Sequence, residues 1–210
     1  MILSYKYKFL FIHVPKTAGC SIDEHVRPLL DRDDLLIEWG RENERFRMHR
    51  HHLTRHVTAS TARDCFGNRL WNAVYKFAVV RNPFDRLISL HNYYQRSPEN
   101  LFRGRTVPFN CFIMEPERYF PTCLSAFHYY TPSSGEKRTI LDRILRYENL
   151  HTELGEVFES LGIPYGGTLA PKRNTEQRYM KDYRACYSKE ARAKVEAECK
   201  DELDFFNYEF

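Results

Sequence analysis

Residues Tyr5–Val14, YKYKFLFIHV, run into Pro15–Ser21, PKTAGCS, and the reading of this junction decides the fold. A short unbroken run of aromatic and β-branched residues suits a buried strand. Pro15 ends it. Ser21-Ile22-Asp23-Glu24 has the form of a capping box, and Ile22, Val26, Leu29 and Leu30 follow at i, i+4, i+7 and i+8, a single apolar helical stripe. The first thirty residues therefore read as strand, tight loop, helix. A loop of small residues entering a helix offers backbone N–H groups and the positive end of the helix dipole, the ingredients for holding a phosphate. Lys16 adds a cation on a flexible stem, able to follow charge onto a leaving oxygen. No G-x-x-x-x-G-K-[ST] phosphate loop occurs in the chain.

The same order recurs downstream. Tyr75–Val80, YKFAVV, is a second apolar strand, broken at Arg81-Asn82-Pro83. Asn82 can cap, Pro83 suits the first helical position and Asp85 the third. Phe84, Leu87, Ile88 and Tyr94 form the buried side of a helix to about Gln95, and Asp85, Arg86, Ser89 and Asn92 or Tyr93 the opposite face. Arg81 and Ser89, a fork of donors and a hydroxyl, suit a second phosphate. The plainer reading pairs Arg81 with a carboxylate.

Further strands are expected at Leu35–Trp39 and within Thr139–Leu150, with helices near Thr58–Phe66, over Glu153–Leu161 and over Ser188–Phe206. Phe102–Tyr130 is aromatic and irregular. Strands alternating with helices predict an α/β fold of P-loop-like, three-layer type, with a mostly parallel sheet flanked by helices. Ligands of such sheets bind beyond the C-terminal strand ends, where both junctions fall. The 210 residues suit one domain, 1–210. With 42% hydrophobic, 29% charged and 15% aromatic residues, the chain reads as globular. A net charge of +4 suits a local anion site better than a nucleic-acid surface. Six scattered cysteines form no C-x-x-C pair, and no apolar stretch is long enough to span a bilayer.

Phe11–Ser21 (FIHVPKTAGCS) resembles the 5′-phosphosulfate loop of the carbohydrate sulfotransferases, most of all the heparan and uronyl 2-O-sulfotransferase group and its small bacterial relatives. Val80–Ser89 (VRNPFDRLIS) is similar to their 3′-phosphate motif, R-N-P-x-x-R-x-x-S. The resemblance continues in Leu145–Leu150 and, more loosely, from Asn174 to Phe210. It implies 3′-phosphoadenosine-5′-phosphosulfate (PAPS) as donor, adenosine 3′,5′-bisphosphate (PAP) as product and no metal. Lys16 would stabilise the departing phosphate, with Thr17, Ala18, Gly19, Cys20 and Ser21 around the 5′ end and Arg81 and Ser89 on the 3′-phosphate. Arg173, Asn174 and Thr175 match a loop that closes over the nucleotide. The family has Thr or Ser where this chain has Cys20, and a thiol is a poor hydrogen-bond donor.

Transfer to a hydroxyl needs a base, and histidine suits neutral pH. Four of nine histidines cluster at His49, His51, His52 and His56. His56-Val57-Thr58-Ala59 fits the family's H-x-T-A pattern, which implies His56 as base, with His52 in reserve. A metal site on His52 and His56 lacks a completing Cys or Glu. His13, inside an apolar strand, reads as a structural histidine. Arg41, Arg45, Arg47, Arg50 and Arg55 read either as a solvated basic face or as a groove for an anionic glycan. The expected partner is thus a carbohydrate or other hydroxyl acceptor, with no nucleic acid and no membrane span. Two other readings stand beside this one: an inactive nucleotide- or glycan-binding relative, favoured by Cys20, and a P-loop kinase, which would need ATP and Mg²⁺. A start close to the first strand favours a cytoplasmic protein, with a Golgi luminal domain as the alternative.

Overall fold

A computed structural model describes residues 1–37, 53–96, 102, 105–119, 124–169 and 182–210. The chain falls into two compact units, residues 1–80 with 128–175, and residues 81–127 with 176–210.

The first unit holds a five-stranded sheet of order β3-β1-β2-β4-β5, formed by β1 (Ile2–Ser4), β2 (Phe9–Ile12), β3 (Leu35–Leu36), β4 (Tyr75–Val80) and β5 (Arg143–Arg146). β2, β4 and β5 are mutually parallel, with Phe11 opposite Phe77 and Val79 opposite Leu145. β1 runs antiparallel to both β2 and β3, so four of the five strands point one way. The expected single strand from Tyr5 to Val14 is instead a hairpin. Asp34 holds its turn, accepting from the amides of Tyr5 at 2.6 Å and Lys6 at 3.2 Å.

Strand periodicity places Phe9, Phe11, Phe77, Val79 and Leu145 on one face. There they pack with Ile22 and Val26 of α1 (Gly19–Val26) and with Leu150, Leu154, Val157 and Phe158 of α6 (Leu150–Leu161). Ring centroids lie 5.1 Å apart for Phe11 and Phe77 and 5.6 Å for Phe9 and Phe77. Burying each such phenylalanine contributes about 1.5–3 kcal/mol. Leu10, Ile12, Ala78 and Val80, which point to the opposite face, are equally buried. Helix α2 (Ala59–Ala73) precedes β4; the Thr58 hydroxyl caps it by accepting from the Thr61 amide at 3.1 Å, and it kinks at Gly67, whose φ of 74° suits glycine.

The second unit is helical. Its core joins Phe84, Leu87 and Leu90 of α3 (Pro83–Arg96), Phe112 and Ile113 of α4 (Phe109–Met114), Ala191 and Val195 of α7 (Lys189–Glu198) and Leu203 of α8 (Lys200–Phe206). The short α5 (Pro116–Tyr119) follows α4. The single helix expected over Ser188–Phe206 is two, meeting at Cys199. Arg86 departs from the expected solvent face: it is buried, donates through Nη2 to the Leu124 carbonyl at 2.5 Å and lies 3.9 Å from Glu202 Oε2. Among the described residues no helix is long and apolar enough to cross a membrane.

Candidate active site

β2 ends at Ile12, and the backbone then turns sharply. Lys16 and Ala18 both adopt left-handed conformations, φ 67° and 66°, which non-glycine residues enter at a cost of about 1–3 kcal/mol each. The buried Thr17 hydroxyl donates to the Val14 carbonyl at 3.0 Å, so it braces the loop from within. Helix α1 starts at Gly19 with no side-chain cap. The amides of Ser21 and Ile22 bond the Ala18 carbonyl at 2.9 and 3.2 Å, which leaves those of Gly19 and Cys20 without an acceptor inside the helix. No acidic residue occupies the first turn of α1. Lys16, these amides and the helix dipole make a donor set that fits a phosphosulfate group.

The expected capping box does not form, because the helix begins earlier, with Ala18 at its cap and Ser21 already inside the first turn; Asp23 instead is drawn into the protein. Its carboxylate is 1% exposed, and Oδ2 accepts from Arg55 Nη2 at 2.6 Å and lies 3.1 Å from His13 Nδ1. Burial alone would raise this carboxyl, but His13 and Arg55 hold it below its ordinary value. Arg55 Nε donates to His13 Nδ1 at 3.2 Å, and Arg55 Nη2 to Cys20 Sγ at 3.1 Å. Arg55 therefore does not line an open basic groove: its side chain is 17% exposed and its guanidinium is committed to α1 and β2. Gly19 is needed for the same packing, since a Cβ there would overlap the His13 ring.

His56 follows Arg55 directly. Its Nδ1 lies 2.8 Å from the His13 carbonyl, and the rings meet edge to face with centroids 4.9 Å apart. A carbonyl can only accept, so Nδ1 carries the hydrogen and Nε2 is the basic nitrogen. Burial depresses His56 to about 4 and His13 to about 3, leaving both neutral at physiological pH. The structure thus ties the candidate base to the Lys16–Ser21 loop through His13, Asp23 and Arg55. From the sequence His13 reads as structural, and Asp23 only as the residue inside a Ser21–Glu24 capping box. His49, His51, His52, Arg173, Asn174 and Thr175 lie outside the described residues.

In the second unit the Asn82 side chain caps α3, accepting from the Phe84 amide at 3.1 Å, as expected. Arg81 pairs with Asp85, through Nη2 at 2.7 Å and Nε at 2.8 Å. This is the carboxylate pairing foreseen as the plainer reading. Ser89, one turn beyond Asp85, is half-buried.

The profile of the sulfotransferase family matches residues 1–209. The chain belongs to that family, and fold and family together define it as a PAPS-dependent sulfotransferase of α/β architecture. An uncharacterized protein of Archaeoglobus fulgidus is 28% identical over 102 residues, 49% of this chain and 79% of that protein. Among solved structures, mouse sulfotransferase SULT7A1 complexed with PAP superposes with a TM-score of 0.58 at 13% identity, covering 97% of this chain and 85% of that one. At that identity the likeness is one of fold.

Proposed function

We propose that the protein transfers the sulfuryl group of PAPS to a carbohydrate hydroxyl, with His56 as base and Lys16 on the leaving phosphate. The observation that carries the reading is His56, half-buried, neutral and bonded through Nδ1 to the His13 carbonyl, so that Nε2 has a lone pair for the acceptor proton. Loop amides at Gly19 and Cys20, with Ser21 and Lys16, bind the 5′ end of the donor; Thr17 and Ala18 shape the loop that presents them. On the second unit, Arg81 and Ser89 are the residues for the 3′-phosphate, with Arg81 released from Asp85. Arg173, Asn174 and Thr175 are proposed to close over the nucleotide.

The acceptor oxygen bonds to sulfur as the sulfur–oxygen bond to the 5′-phosphate breaks. His56 takes the hydroxyl proton, and Lys16 compensates the charge that gathers on the phosphate. The carbohydrate class rests on the likeness of FIHVPKTAGCS and VRNPFDRLIS to carbohydrate sulfotransferase motifs.

Two substitutions separate the roles. His56→Ala should lose turnover by about 10²–10⁴-fold and keep PAP affinity. Arg81→Ala should weaken PAP binding by about ten- to a hundredfold, the loss of charge-assisted hydrogen bonds. Turnover and calorimetric PAP affinity are measured on both proteins. Normal turnover by His56→Ala overturns the base assignment, and unchanged PAP affinity in Arg81→Ala overturns the 3′-phosphate assignment.

A further inference from the structure

We infer that His13 is the positioning residue of His56, and that the Asp23–Arg55 ion pair locks His13 for that purpose. The inference rests on the reading of His56 as base. His56 is oriented by two features of one residue, the His13 carbonyl 2.8 Å from its Nδ1 and the His13 ring against its own. The His13 ring is in turn held on three sides. Arg55 Nε donates to its Nδ1 at 3.2 Å, Asp23 Oδ2 lies 3.1 Å from the same nitrogen, and the ring packs where a Cβ on residue 19 would sit. A neutral ring can use that position by accepting from Arg55 or by donating to Asp23; either use fixes the ring plane.

The lock joins three pieces of chain: the end of β2, the first turns of α1 and the segment carrying His56. Arg55 links the last two directly, through Asp23 at 2.6 Å and Cys20 at 3.1 Å. Cys20 therefore has a role beyond replacing a hydroxyl: its sulfur is an acceptor for the guanidinium that steadies the base.

A residue that only held the fold would lower stability and donor affinity along with turnover. A positioning residue lowers turnover alone and changes the state of the His56 ring. The test compares wild type with Arg55→Met, which keeps the stem but removes the guanidinium, and with Arg55→Lys, which keeps a cation for Asp23. kcat, KM for PAPS, calorimetric PAP affinity and the imidazole ¹⁵N spectrum are recorded for each. We expect wild-type His56 as the Nδ1–H tautomer. Arg55→Met should show a tautomer mixture and a kcat lower by on the order of ten- to a hundredfold, the cost of a misplaced catalytic group, at unchanged KM and PAP affinity. Arg55→Lys should recover part of both.

Wild-type kcat and tautomer in Arg55→Met would overturn the inference. So would a kcat loss matched by loss of PAP affinity with the tautomer intact. If Arg55→Met fails to fold, Asp23→Asn, a near-isostere that leaves Arg55 without its carboxylate, is read in the same way. His56→Ala keeps the two claims apart. Full turnover there sinks the base assignment, while the ¹⁵N spectrum of Arg55→Met still decides whether His56 is oriented through His13.

Discussion

His13 and His56 are neutral because the fold withholds water from their charged forms, and this links protonation to stability. In an unfolded chain each imidazole titrates near 6.5; in the fold His13 is depressed to about 3 and His56 to about 4. Between these values the unfolded chain binds more protons than the folded one, so stability rises with pH. Their contribution is fully present above pH 6.5 and is lost as pH falls toward 4. Asp23 acts at lower pH and in the same direction, since its depressed carboxyl stabilises the fold above its ordinary value of 3.8 and is lost below it. Urea unfolding at pH 7, 6 and 5 should show the free energy falling, with a slope approaching about 1.4 kcal/mol per pH unit for each histidine. His56→Asn should remove one histidine's share of that slope, to which His91, also depressed by burial, contributes as well. A stability unchanged from pH 7 to 5 would show that the two rings are not held neutral by the fold.

The junction of β2 and α1 is the element on which the site depends, and Gly19 is its tightest point. Gly19→Ala pushes a Cβ into the His13 ring. The expected cost is about 1–3 kcal/mol, read from a lowered urea midpoint at constant slope, and an unchanged midpoint would refute the close packing. Both strand–loop–helix junctions were legible in the sequence because their signals are local: an apolar run, a breaker, then an apolar stripe. What escaped depends on partners distant in the chain. Tyr5–Lys8 reads as strand because the residue that turns it is Asp34. The burial of Asp23 goes unread because its partners, His13 and Arg55, come from the residue after β2 and from the segment before α2. Arg86 reads as exposed because nothing nearby announces that Glu202, wholly buried and accepting from the Ala126 amide at 2.8 Å, places a carboxylate within 3.9 Å. In the last two cases a buried carboxyl–arginine contact overrides local propensity. The His56 side of the site was legible as a residue type in a motif, but its tautomer and its dependence on His13 were not.

For the molecule as a whole, fold and family agree on sulfuryl transfer: the sulfotransferase profile spans residues 1–209. A net charge of +4 is too small for general attraction of polyanions, so affinity for a doubly phosphorylated nucleotide has to come from particular donors. The proposed donors are the Lys16–Ser21 loop in the first unit and Arg81 with Ser89 in the second. All are side-chain and backbone groups of the chain itself, so the proposal calls for no divalent cation. The most direct test is a calorimetric titration of the purified protein with PAP in the presence of a chelator, against ATP with Mg²⁺ as control. The account predicts micromolar, one-to-one PAP binding without metal and no comparable response to ATP with Mg²⁺. Failure to bind PAP together with clear binding of ATP and Mg²⁺ would contradict it and identify the loop as a nucleoside triphosphate site.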